Sequence, residues 1–258
     1  MMPGGVKDRV ALITGASRGI GWATAQLLVA RGARVVGVAR DGAALQAAAQ
    51  QTGMHQTMAA DLCHSSECKR VIEETIQTMG GLDILICNHG IGVAHETSLH
   101  LQDPEAFQLS MKTNLEGPFY LTRYALPTMV QNGYGRCVYT SSTAAIYAEP
   151  NGVGYNTSKA ALCGLMRSVS QDGGKYDITA NAVLPGWVRT KLAERSAAVE
   201  AESRGISTDE VWRERAALYP PQRVVEPIEV AQVIAFLASE ESRGVSGQSI
   251  SVTLGSFW

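Results

Sequence analysis

The sequence predicts an α/β fold: one domain built on a doubly wound, seven-stranded parallel sheet with helices on both faces. Three observations carry this. Seven short apolar runs recur along the chain, helical patterns separate nearly all of them, and no internal repeat, low-complexity tract or Pro/Ser-rich linker divides residues 1–258. Strand then helix, repeated, means right-handed crossovers between parallel strands, with helices packing on the sheet from both sides.

The predicted strands are Val10–Thr14, Arg34–Ala39, Gln56–Ala60, Asp83–Cys87, Arg136–Ser141, Thr179–Leu184 and Ser249–Thr253. Each has the length of a strand rather than a helix. A helix is expected to begin near Ile20, and two long ones to run over about 103–131 and 155–173.

Composition bounds the possibilities. With 45% apolar residues, 18% charged residues and a formal charge of -2, the 258 residues hold ample material for a single core. The near-neutral balance gives no argument for nucleic acid or an anionic membrane as partner. Cys63, Cys68, Cys87, Cys137 and Cys163 show neither a CxxC pair nor metal-ligand spacing, so no metal site is expected, and their odd number suits a reducing cytoplasm. The N-terminal stretch does not read as a signal peptide, and no apolar run approaches membrane-spanning length.

The first strand leads into Thr14-Gly-Ala-Ser-Arg-Gly-Ile-Gly21. Gly15, Gly19 and Gly21 allow a tight turn, close approach of backbone to a pyrophosphate, and close packing of helix on strand. The following helix offers free N–H groups and a positive dipole end to phosphates. Glycines also simply make loops, but this turn stands between a strand and a helix, the context that dinucleotide binding requires.

The segment Tyr155-Asn-Thr-Ser-Lys159 sets a phenol and an ammonium four residues apart, on one helix face. Alone, such a pair equally describes a packed ring and a solvated lysine. A free phenol titrates near 10. An ammonium about 4 Å away, at an effective dielectric near 20, would favour phenolate by roughly 4 kcal/mol before screening, up to about three pKa units.

Taken in order, TGASRGIG, Cys87-Asn88-His89-Gly90, Asn114 in KTNLEG, Ser142 in YTSS, YNTSK, and Pro185-Gly186 in PGWVRT resemble the motifs of the short-chain dehydrogenase/reductase family over nearly the whole chain. Ser142, rather than Ser141, lies thirteen residues before Tyr155, the family's interval. The resemblance implies a Rossmann fold and an oxidoreductase that moves a hydride between a nicotinamide and a ketone or secondary alcohol. It makes Tyr155 the general acid/base, Lys159 its electrostatic partner and a ribose ligand, Ser142 the group that orients the substrate oxygen, and Asn114 the holder of a relay water. Gly15, Ser17, Arg18, Gly19, Ile20, Gly21, Asn88 and Gly90 would line the cofactor. Asp61 and Leu62 resemble the adenine contacts, and Pro185, Gly186, Val188 and Thr190 the segment that meets the carboxamide.

At the end of the second strand, where an acidic residue would bind the ribose hydroxyl of NAD, the chain reads Ala39-Arg40-Asp41. Arg40, with Arg18 from the glycine turn, suits a ribose phosphate, so NADP(H) is favoured. Asp41 leaves NAD(H) open, because it could accept a ribose hydroxyl or neutralise Arg40.

The chain departs from the family pattern at Cys87 and His89, which stand in place of an asparagine and an alanine, and at its end, SVTLGSFW, where Phe257 and Trp258 could cover a neighbouring subunit's site. His89 reads either as a structural histidine or as a second proton donor. The substrate pocket is expected from Ile91–Leu101, Thr143–Gly154 and an insertion at about 187–222, which resembles the lid of 3-hydroxybutyrate dehydrogenases. Thr143–Gly154 has no Lys, Arg or His, which disfavours a simple hydroxy acid, and Glu149 is either a solvated charge or a contact for hydroxyls or an amine. Arg189, Lys191, Arg195 and Arg204 could bring an anion from the insertion. An NAD-dependent alcohol or hydroxy-acid dehydrogenase, and a dinucleotide-binding module without turnover, are the alternatives. By resemblance the subunits form a homo-oligomer, a tetramer or dimer, through the two long helices, on which Phe119, Leu165 and Val169 are apolar.

Overall fold

A computed structural model of the chain describes residues 5–92 and 97–256. Seven parallel strands, β1 (Val10–Thr14), β2 (Arg34–Ala39), β3 (Gln56–Ala59), β4 (Ile84–Cys87), β5 (Gly135–Thr140), β6 (Ile178–Pro185) and β7 (Ser249–Val252), lie in the order β3-β2-β1-β4-β5-β6-β7. The strands fall where alternation and length predict them, with no end moved by more than one residue.

Alternation divides the core. Ala11, Ile13, Ile84, Ile86, Val138 and Val183 face one side, with helices α1 (Gly19–Ala30) and α9 (Pro227–Leu237); Val10, Leu12, Leu85, Cys87, Cys137 and Tyr139 face the other, with α3 (Ser65–Met79), α5 (Gly117–Asn132) and α6 (Val153–Gly173). Each central strand therefore buries both faces, the pattern of a parallel sheet covered on both sides. The remaining helices are α2 (Gly42–Thr52), α4 (Pro104–Met111), α7 (Lys191–Arg204) and α8 (Thr208–Ala217). None of the described helices is long and apolar enough to cross a membrane.

Strand order reverses between β1 and β4, which pair as Ala11 with Ile84 and Ile13 with Ile86. In doubly wound sheets ligands bind beyond the carboxyl ends of the strands at this switch point. Both the glycine turn after β1 and the CNHG segment after β4 open there.

The long helix expected over about 103–131 is unbroken from Pro104 to Asn132 but changes its winding. It is α4, then a π-helical turn at Lys112–Glu116, then α5. An inserted residue within one turn leaves the apolar periodicity nearly unchanged on either side, so the pattern does not reveal it. Asn114 and Thr113 are buried within the widened turn.

Candidate functional site

The glycine turn is as tight as its sequence suggests. Gly15 and Gly19 take φ of +68° and +57°, in the left-handed region that a Cβ disfavours. At Gly21 a Cβ would stand 2.2 Å from the Gly15 carbonyl oxygen and 2.6 Å from Asn88 Nδ2, so no side chain fits. Asn88 ties the turn to the sheet: its Nδ2 donates to Thr14 O at 3.2 Å, its amide donates to Thr14 Oγ1 at 2.9 Å, and its Oδ1 accepts from Thr140 Oγ1 at 3.2 Å. Arg18 is the N-cap of α1 but gives no side-chain cap, which leaves the first amides of the helix open toward the groove. Ser17 and Ile20 are half-buried beside it.

Arg18 and Arg40 are both exposed, and neither has an ion-pair partner among the described residues. Asp41 does not neutralise Arg40. Its carboxylate caps α2, accepting from the Ala44 amide at 3.0 Å. Asp61 follows β3 and accepts from the Cys63 amide at 3.1 Å. Partial burial opposes its ionisation, but the Cys63 hydrogen bonds and the charges of Arg40 and His64 outweigh it and hold the carboxyl below its usual range. Leu62 is buried beside it.

At the end of β4, His89 turns its ring back on the sheet. Nδ1 lies 2.7 Å from Thr14 Oγ1, which already accepts the amides of Asn88 and His89. The Thr14 hydroxyl also donates to Ile86 O at 3.3 Å, so it joins His89 to β4 as well as to β1. Nε2 is enclosed without a well-formed hydrogen bond, the Thr113 backbone lending only a weaker polar contact. Burial first, then the charges of Lys159 and Arg40, push the imidazole down to about 3. His89 is thus a neutral structural histidine at physiological pH. Its room comes from Gly117, where a Cβ would meet Nε2 at 2.8 Å.

Asn114 is fully buried and holds the loop after β4 at both backbone groups. Its Oδ1 accepts from Ile91 N at 2.8 Å, and its Nδ2 donates to Ile91 O and to Ser158 Oγ, each at 3.1 Å. Gly90 sits against this pair, since a Cβ there would come within 3.0 Å of Asn114 Oδ1 and 3.3 Å of Lys159 Nζ.

The two serines after β5 divide their work. Ser141 is buried and donates to Lys159 O at 2.9 Å, pinning α6 to the strand end. Ser142 is half-buried and accepts from the Ala144 amide at 3.1 Å, which leaves its hydroxyl proton available. Tyr155 and Lys159 share a face of α6, with Nζ 5.7 Å from the centre of the Tyr155 ring and donating to Thr140 O at 2.9 Å. Burial pushes the Lys159 ammonium down to about 8.

Beyond β6, Val188 is buried and bridges to Val225, Thr190 caps α7 with its methyl against Gly19, and Gly186 donates to Val252 O. Pro185 O accepts from Thr143 Oγ1 at 3.4 Å. The structure thus joins the glycine turn to Asn88 and Thr190, Gly90 to Asn114 and Lys159, and Lys159 to the Tyr155 face of α6. Phe257 and Trp258, and part of the Ile91–Leu101 stretch, lie outside the described residues.

Several residues of this site carry no local signal. Arg215 is buried on α8, its guanidinium 3.6 Å from the Trp187 ring centre and 5.2 Å from that of Trp212, bonded to Ala193 O, Ser196 Oγ and Glu200. It locks α8 onto α7. Arg204, expected as an anion ligand, is committed to Glu200 and Glu214 at 2.7 Å each. Asn156 clamps the loop before α6, accepting from Glu149 N at 3.2 Å and donating to Glu149 O at 2.9 Å.

Comparison with known proteins places this arrangement. Residues 15–256 match the family model described as enoyl-(acyl carrier protein) reductase. The chain is 36% identical to versicolorin reductase 1 of Aspergillus parasiticus, covering 96% of each chain, and 31% identical to D-beta-hydroxybutyrate dehydrogenase of Cupriavidus necator, covering 94% of this chain and 95% of the other. A tryptophan variant of actinorhodin polyketide ketoreductase, solved with NADPH, superposes with a TM-score of 0.91 at 28% identity over 97% of this chain and 98% of the other. A Rossmann sheet, a glycine turn at its switch point and full-length matches to reductases and dehydrogenases agree: the chain belongs to the short-chain dehydrogenase/reductase family and is an oxidoreductase of CH–OH and C=O groups.

Proposed function

We propose that the protein is an NADP(H)-dependent oxidoreductase acting on a ketone/secondary-alcohol pair, with Tyr155 as general acid/base. The single observation that carries the cofactor preference is the pair of exposed, unpaired guanidiniums, Arg18 and Arg40, beside an Asp41 carboxylate spent on a helix cap. A ribose phosphate is the complement of two free guanidiniums. The residues present fit a dinucleotide: the Cβ-free cradle at Gly15 and Gly21 and the uncapped amides of α1 would hold the pyrophosphate, and Asp61 and Leu62 the adenine. Asn88, Gly90, Pro185, Gly186, Val188 and Thr190 would line the nicotinamide end. That cofactor supplies or accepts the hydride.

The chain's own residues handle the proton and the oxygen. Ser142, its acceptor side occupied by the Ala144 amide, donates its proton to the substrate oxygen and holds it before Tyr155. Tyr155 gives its phenolic proton to that oxygen in reduction and removes it in oxidation. Lys159 makes this feasible near neutral pH. Its ammonium, 5.7 Å from the ring centre, favours phenolate over phenol by charge attraction. Its bond to Thr140 O fixes that distance. The Asn114–Ser158 bond and the Ser158 hydroxyl, which donates to Tyr155 O at 2.9 Å, hold the first turns of α6 against the loop after β4, where a relay water would stand.

The names of the relatives, a ketoreductase and versicolorin reductase among them, favour a ketone. The D-beta-hydroxybutyrate dehydrogenase favours the second reading, a hydroxy-acid dehydrogenase closed by a lid formed from about 187–222. No cation in Thr143–Gly154 would receive that carboxylate. A cytoplasmic homo-oligomer completes the reading, for which Phe119 on α5, 43% exposed, offers apolar surface.

The test is nicotinamide absorbance with NADPH and NADH against a panel of ketones, and NADP and NAD against the matching alcohols. Turnover favouring NADPH, and lowered by about a hundredfold or more in Tyr155→Phe while dinucleotide binding persists, is the expected result. Dinucleotide binding without turnover across the panel would favour a binding module instead.

A further inference from the structure

We infer that Tyr219 and Arg215 are positioning residues: they hold Trp187 so that the backbone of Val188 is presented to the nicotinamide half of the dinucleotide. This rests on the dinucleotide reading above. In extended backbone, successive residues turn their N–H and C=O groups to opposite sides. The segment after β6 spends one side on the protein. Arg189 N donates to Val225 O and Val225 N to Trp187 O, each at 3.0 Å, and Trp187 N donates to the Tyr219 hydroxyl at 2.5 Å. The N–H and C=O of Val188 point the other way, and neither makes a hydrogen bond among the described residues. An unpaired backbone donor and acceptor on one residue are what a ligand amide would complete. Two residues further on, Thr190 sets its methyl against Gly19, which ties the same segment to the glycine turn.

The sheet does not fix this segment unaided. Its pairing with the Val225 strand is a single bridge, which supplies no backbone acceptor for Trp187 N. A buried phenol just past the end of α8 supplies it instead. Arg215, four residues earlier, holds the side chain of the same tryptophan: its guanidinium lies 3.6 Å from the Trp187 ring centre. That guanidinium is itself immobilised on α7 by Ala193 O, Ser196 Oγ and Glu200. The peptide of Trp187 is thus set by Tyr219 and its indole by Arg215, both from the α7–α8 pair.

Removing the Tyr219 hydroxyl leaves the Trp187 N–H without its acceptor, and the peptide must turn to find another. Val188 turns with it. Arg18, Arg40 and Asp61 share no hydrogen bond with this segment, so the adenine end of the groove keeps its shape. The loss therefore falls on one half of the cofactor.

The experiment is calorimetric titration of the whole protein, wild type, Tyr219→Phe and Arg215→Met, with NADPH and with adenosine 2',5'-bisphosphate, which carries the adenine end of NADP without its nicotinamide. The methionine keeps an apolar stem against the indoles, and Glu200 retains Arg204 as its ion-pair partner. We expect NADPH to bind about tenfold more weakly in each variant and the bisphosphate to bind as in the wild type. A merely structural defect would weaken both ligands alike, and that result overturns the assignment, as does unchanged NADPH binding in both variants. Arg204→Met is the control: it breaks the surface ties of α7 to α8 without touching Trp187, and should leave NADPH binding unchanged. An equal loss in that variant would assign the effect to the helix pair as a whole and overturn the roles of Tyr219 and Arg215. Tighter binding of NADH than NADPH by the wild type would overturn the NADP(H) preference alone, and the same comparison is then read with NADH and 5'-AMP. Failure of the wild type to bind either dinucleotide overturns both readings.

Discussion

His89 makes a prediction that needs no substrate. Its imidazole sits at about 3 in the folded protein against an ordinary value near 6.5, because its ring is enclosed between Thr14 and Gly117. A base whose folded value is depressed holds fewer protons folded than unfolded between those two values, so stability falls as pH drops through that window. The slope is about 1.4 kcal/mol per pH unit, and from pH 7 to pH 5 the wild type loses about 2 kcal/mol through this one group. The perturbation is His89→Ala. At pH 7 the variant is less stable, having lost the Thr14 bond and the ring's packing. By pH 5 about 2 kcal/mol of that deficit disappears, since the variant has no proton to take up on unfolding. Urea denaturation of both proteins at the two pH values, at one protein concentration, measures it; every other titrating group contributes alike and cancels in the difference. A deficit that is the same at both pH values refutes the buried, neutral histidine.

Arg40→Asp removes one of the two unpaired guanidiniums and introduces an acceptor for a ribose hydroxyl, so the NADP/NAD ratio of kcat/KM should fall by about a hundredfold and reverse; an unchanged ratio sinks the cofactor assignment. Lys159 keeps its proton below about 8 and loses it above, and with it the support for phenolate, so ketone reduction should decline as pH rises through that value, whereas a flat rate from pH 7 to 9.5 would separate Lys159 from catalysis. Gly21→Ala forces a Cβ to 2.2 Å from a backbone oxygen that has nowhere to go, and should cost more than about 3 kcal/mol by urea denaturation along with dinucleotide binding; a cost below about 1 kcal/mol would mean that the turn is looser than described.

The site was legible in parts, for definite reasons. Tyr155 and Lys159 meet because four residues of helix always bring side chains to one face, and the glycine turn is readable because only glycine tolerates the backbone angles and contacts found there. The thirteen-residue interval picked out Ser142 by resemblance alone. Why Ser141 is not its equivalent depends on Lys159 O, eighteen residues away, which takes the Ser141 proton. The role of Asp41 was open in sequence because a carboxylate after a strand can bind a ribose or cap a helix, and only the folded α2 shows the cap.

Strand positions and helix faces, then, were determined by the sequence itself, since backbone preference and apolar alternation act between near neighbours. The order of the strands, the π turn that buries Asn114, the neutral His89 against Gly117 and the Trp187–Arg215–Trp212 stack were decided by tertiary structure. Each depends on groups brought together from distant parts of the chain, such as Asn114 with Ser158 or Arg215 with Ala193. Burial and partnership are properties of the assembled layers: a side chain's charge, exposure and role follow from what the fold sets against it, and no local pattern records that.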